Sequence, residues 1–97
     1  FVMKHDFSEG YALTKDIYGI LSYIDRTGAI RFNLKGYDNA GDFSEGKAWV
    51  VKNGKYGYVN TRGTLIIDTI FSYASNFKNG QASLVLLFCH LYVFLQL

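Results

Sequence analysis

Two carboxylates stand three residues apart in the pentapeptide DFSEG, as Asp6 and Glu9, and the same five letters return as Asp42 and Glu45. A pair of acids at a set separation is what a glycosidase-like acid-base mechanism requires. A third version of the segment, NFKNG at residues 76–80, keeps its Phe and Gly but has lost the acid. Loss of the carboxylate favours a structural role, and no catalytic residue is assigned. Cys89 is the lone cysteine, and His5 and His90 are the two histidines. One Cys and one adjacent His cannot fill a structural zinc site, so no metal or other cofactor is expected. Phosphate loops, nucleophile elbows and Walker sequences are missing from the chain. The expectation is a non-enzymatic protein.

The elements that position these residues follow from composition and period. Ninety-seven residues make one small domain or a few repeat units. Apolar residues are 49% of the chain, aromatics 18%, and Pro is absent, which predicts an ordered, all-β protein. The net charge of +2 is scattered rather than gathered into a basic stripe, so nucleic acid is not an expected partner. The chain opens FVMKHD without an initiator Met. The true amino terminus, and any signal peptide, are therefore expected outside it, and cytoplasm and cell envelope both stay open as compartments.

DFSEGYA at residues 6–12 returns as DFSEGKA at 42–48, and as NFKNGQA at 76–82. A second block, YIDRTGAI at 23–30, returns as YVNTRGTL at 58–65. Two unlinked blocks share a period near 35 residues, the mark of a tandem repeat. The units are read as 1–41, with a degenerate hairpin, 42–75, and a partial third at 76–97. Within the second, Asn53-Gly54 lies between two apolar runs, which predicts a type I′ hairpin. Centring the turn there pairs Val51 with Tyr56, Val50 with Gly57, and Trp49 with Tyr58. Trp49, Val51, Tyr56 and Tyr58 then share one face, and Ala48, Val50, Gly57 and Val59 the other. Asx-x-x-Gly at Asp25–Gly28 and Asn60–Gly63 predicts type I turns into third strands at 29–32 and 64–67. Each unit is thus expected to be a short three-stranded antiparallel meander that leans on its neighbours, stacked as an open array or arranged like a propeller. In the pentapeptide, Asp6 and Asp42 are expected to cap a short helical turn, and Gly10, Gly46 and Gly80 to end it in the left-handed conformation. Phe7, Phe43 and Phe77 are expected to plug the core.

FSEGKAWVVKNGKYGYVNTRGTLII, residues 43–67, resembles the WG (KWG) repeats of bacterial proteins, whose unit is similar to F-S-x-G-x-A-x-V-x-x-x-G-K-W/Y-G-Y-I-D-x-x-G-x-I-I. Tyr56 stands where the family often has Trp. The resemblance implies a tandem β-repeat protein and carries no catalytic residue. Copy one departs from it, with an extra residue in KDIYGILSYID and Ser22 in place of Gly57. Copy three departs after Val85, where residues 84–97 read LVLLFCHLYVFLQL. Three readings compete for that tail: a helical membrane span, for which it is short; a buried final strand, for which it is long; and residues that are not native repeat sequence. Membrane contact is expected only if the tail is genuine.

Trp49, Tyr56, Tyr58 and Tyr23 are the candidate binding residues, with inter-repeat core as the competing role. The expected function is an interaction scaffold for a protein partner. The alternative is a cell-envelope module that stacks a glycan on this aromatic face.

Overall fold

The computed structural model describes residues 1–86 and 91–96, and within them every regular element is a strand. In chain order these are β1 (Met3–Lys4), β2 (Ala12–Lys15), β3 (Leu21–Ile24), β4 (Ile30–Asn33), β5 (Asn39–Ala40), β6 (Lys47–Lys52), β7 (Lys55–Asn60), β8 (Leu65–Phe71), β9 (Tyr73–Ala74), β10 (Gln81–Leu86) and β11 (Leu91–Gln96). They form three open antiparallel sheets, ordered β1-β2-β3-β4, β5-β6-β7-β8 and β11-β10-β9. The expected three-stranded meander gains a fourth strand of two residues at its leading edge. β5 pairs Asn39 with Val51 and Ala40 with Val50, ahead of the DFSEG turn of its own unit.

The central hairpin has the register that Asn53-Gly54 dictates: Trp49 pairs with Tyr58, Val50 with Gly57 and Val51 with Tyr56. Asn53 (φ 53°) and Gly54 (φ 76°) both take the left-handed backbone that a type I′ turn demands. Asp38 adds an acceptor for the Asn53 amide at 2.9 Å. The first hairpin absorbs its extra residue by changing turn type. The Gly19 amide donates to the Asp16 carbonyl, and the Asp16 side chain accepts from the Tyr18 and Ile20 amides. That is a type I turn closed by a left-handed Gly, and it keeps Leu13 opposite Tyr23.

The Asx turns after β3 and β7 are built alike. The Asp25 and Asn60 side chains each accept amides two and four residues on, and Gly28 and Gly63 follow with positive φ. The strands they feed start one residue later than expected, and β8 runs on to Phe71. β11 supplies a return strand to β10, pairing Gln81 with Gln96 through Leu86 with Leu91. The burial of the apolar tail from Leu86 onward, together with Cys89 and His90, lies outside the described residues.

The core sits between the sheets. Ala48, Val50 and Val59, on one face of the middle sheet, bury against Leu13, Leu21 and Tyr23 of the first. Trp49, Tyr56 and Tyr58, on the other face, pack with Ala74, Phe77, Ala82 and Leu84 of the third. The middle unit is therefore covered on both sides by its neighbours. Phe43 and Phe77 plug these two layers at 1% exposure each. Phe7 departs from the expectation: it stays half-buried beneath its own unit's Lys4 and Arg26, 4.8 and 5.2 Å from the ring centre.

Candidate functional site: the inter-repeat turn and the aromatic groove

The repeated pentapeptide is not a capped helical turn. Ser8 and Tyr11 exchange backbone hydrogen bonds, as do Ser44 and Lys47, and Lys78 and Gln81. The two residues between are Glu9-Gly10, Glu45-Gly46 and Asn79-Gly80, all with positive φ. Each is a two-residue hairpin turn of the type I′ kind, in which a non-Gly residue also accepts the left-handed region. Asp6 is exposed and caps nothing, while Asp42 is drawn sideways to His5, with Oδ1 2.8 Å from Nδ1. The capping role assigned to Asp6 and Asp42 is thereby corrected.

The acids that matter are the glutamates, and they reach across units. The Glu9 carboxylate accepts the Glu45 amide at 2.5 Å and the Gly46 amide at 2.8 Å. One unit on, the Glu45 carboxylate accepts the Gly80 amide at 2.6 Å. The preceding serines reach across as donors: Ser8 Oγ donates to the Phe43 oxygen at 2.7 Å and Ser44 Oγ to the Phe77 oxygen at 2.5 Å. Ser-Glu is thus a clamp that holds the next unit's turn. Asn79 and Lys78 occupy these places in the third unit, so its turn has neither the hydroxyl nor the carboxylate. Sequence reasoning missed the clamp because its partners are 33–37 residues apart. The signal was present in the conservation of Ser and Glu between the first two copies and their joint loss in the last.

Of the four aromatic candidates, Tyr23 and Tyr58 are wholly buried. The Tyr23 hydroxyl donates to the Gly41 carbonyl at 2.5 Å, and the Tyr58 hydroxyl donates to that of Ser75. Each ring also packs on the next unit's Phe, Tyr23 on Phe43 at 4.7 Å and Tyr58 on Phe77 at 4.9 Å. Burial pushes the Tyr58 hydroxyl up to about 12, with Tyr73 adding to the effect. The Tyr23 hydroxyl is raised further, by burial first and then by the Asp42 carboxylate. Trp49 and Tyr56 differ, being only half-buried. Their rings meet at 5.4 Å, and Tyr56 continues to the exposed Tyr73 at 6.0 Å.

Trp49 also forms part of a groove of about 540 Å³, whose wall includes Met3, His5, Lys15 and Asp38 of unit one, Asp42 of unit two, and Asn76. Among the described residues no group of three or more potential metal ligands is gathered. The structure thus brings Trp49 and Tyr56 to an accessible row and places Tyr23 and Tyr58 in the layers between units.

Open antiparallel sheets with a common turn, a common plug and a common period define a tandem β-repeat array. The chain belongs to the family described as WG containing repeat, whose model matches residues 22–56 and 56–85. No curated protein and no solved structure matched it.

Proposed function

We propose that the chain is a non-enzymatic scaffold whose repeats hold a protein partner along an open sheet edge. The observation that carries this is β8. It is the longest described strand, it lies at the outer edge of the middle sheet, and it pairs there only with β7 among the described residues. Alternate side chains Ile66, Asp68 and Ile70 face solvent, with Ile66 40% and Ile70 53% exposed. An unpaired edge with apolar side chains beside it accepts an extended peptide as an added strand. Peptides selected from a displayed library against the whole chain should be extended and apolar at alternate places. They should lose binding to the I66K/I70K double variant, which changes only exposed positions. Equal binding to both proteins would refute the proposal.

A second reading is favoured by the groove. Trp49 offers a ring surface, and Asp38, Asp42, Asn39 and Asn76 line the same wall, which is the mixture that holds a polyhydroxylated sugar. Trp49 fluorescence titrated with oligosaccharides of the cell envelope tests it, and no response across the series would remove it.

A further inference from the structure

The clamp is directional, and among the described residues the turn of the first unit receives no carboxylate. Each occupied turn receives a carboxylate from the unit before it: Glu45-Gly46 from Glu9, and Gly80 from Glu45. The equivalent turn of the first unit, Glu9-Gly10, has the same left-handed backbone, with φ of 55° and 84°. Its two amides meet no acceptor among the described residues. The plug beside it is also incomplete, since Phe7 is half-buried whereas Phe43 and Phe77 are fully covered by the preceding unit's Tyr23 and Tyr58. Lys4 and Arg26 of the same unit lie against the Phe7 ring instead.

We infer that the face formed by Phe7 and the Glu9-Gly10 turn is a docking surface for a further repeat unit of this kind on the amino-terminal side. That unit is recognised by a Ser-Glu turn: the carboxylate accepts the Glu9 and Gly10 amides, the serine hydroxyl donates to the Phe7 carbonyl, and a buried Tyr packs on the Phe7 ring. A carboxylate is also the charge that Lys4 and Arg26 favour at this end. A second copy of this chain does not fit as the occupant. The turn of its third unit carries Lys78-Asn79, which supplies neither the hydroxyl nor the carboxylate. The surface therefore accepts a unit at its amino-terminal side, while the clamp is not passed on beyond the third unit. This inference is independent of what the sheet edge or the groove binds.

The test adds one unit. Phe1 holds the register of Tyr37 and Phe71, two places before the edge strands β1, β5 and β9, so residues 37–70 joined directly ahead of Phe1 preserve the period. Two versions of the extended whole chain are compared, one with Ser44 and Glu45 of the added unit intact and one with S44A/E45A there. Amide exchange is followed by NMR. The intact extension should slow exchange of the Glu9 and Gly10 amides at least about fivefold and raise the melting temperature. The alanine version should return those two amides to their original rates while its strand amides stay protected. Unchanged rates at Glu9 and Gly10 with the intact extension would overturn the inference, as would an added unit that stays unfolded. Equal protection by both versions would overturn the Ser-Glu recognition.

Discussion

Gly57, the second glycine of GKYGY at residues 54–58, is required by contact rather than by backbone freedom, and replacing it with Ala should open the middle sheet. Between Tyr56 and Tyr58 the partner strand β8 bulges, because Tyr56 pairs with Phe71 and Tyr58 with Ile67. The bulge brings β8 backbone onto Gly57. A Cβ there would lie 2.3 Å from the Ile67 carbonyl oxygen and 2.9 Å from the Asp68 carbonyl carbon. Ordinary contact begins at 3.4 Å, so β8 must retreat by roughly 3.4 − 2.3 = 1.1 Å or abandon the pairing. Overpacking of this kind costs about 1–3 kcal/mol. The gain from a less flexible unfolded chain, about 0.4–1 kcal/mol, offsets only part of it. For a domain of this size each 1 kcal/mol moves the melting point by roughly 4–8 °C. Thermal and urea unfolding of Gly57→Ala, followed by far-UV circular dichroism, reads the loss. Ser22 fills the same place in unit one, where Ser22 and Tyr23 pair in step with Asn33 and Phe32 and the bulge around Gly57 has no counterpart, so the chain tolerates a side chain there. A G57A protein as stable as the parent would show that the bulge is not held by this close approach.

Three further outcomes follow from the same geometry. Tyr58, with its hydroxyl raised from 10.0 to about 12, keeps its proton in the folded state. Its contribution is complete below pH 10 and is lost as pH rises toward 12, so Tyr58→Phe should flatten that alkaline limb while costing about 1 kcal/mol at neutral pH through the Ser75 carbonyl it leaves unpaired. Asp25 is held below its ordinary 3.8, first by the Thr27 hydroxyl. Its stabilisation is present above that value and fades as pH falls beneath it. Asp25→Asn should keep the turn, as Asn60 does in unit two, and remove this acid dependence in a pH series of melting points. A Cβ on Gly41 would lie 2.2 Å from Nε1 of Trp49, so Gly41→Ala should expel the indole and shift its emission to the red. An unshifted spectrum would contradict the packing.

Much of the architecture was legible because it is local. Asn53-Gly54 and the apolar alternation beside it set the register of the six residue pairs between β6 and β7 without help from the rest of the chain. The period likewise placed Phe43 and Phe77 as plugs, and the partition of Trp49 and Val50 to opposite faces put them in different layers. The first hairpin's turn was legible in principle, since Asp16 and Gly19 repeat the Asx-x-x-Gly spacing of residues 25–28 and 60–63. Other features were not. Asn39–Ala40 is too short and too polar to signal a strand, and it exists because the neighbouring β6 offers it a ladder. Capping and clamping place the same residue types in the same pentapeptide, and only the through-space arrangement of one unit against the next separates them. Tyr23 and Tyr56 looked alike as aromatic strand residues. Their fates diverge because the next unit's plug reaches the Tyr23 ring, while Tyr56 lies outward beside Tyr73.

The most direct test of repeats clamped turn to turn is amide exchange in single glutamate variants of the whole chain. Glu45→Ala should speed exchange at Gly80, and Glu9→Ala at Glu45 and Gly46, each roughly fivefold for a hydrogen bond worth about 1 kcal/mol. Each effect should appear one unit downstream of the substitution, leaving the hairpin amides around Asn53 unchanged. Unaltered exchange at Gly46 and Gly80 would contradict the clamp, and so would a loss of protection confined to the substituted turn itself.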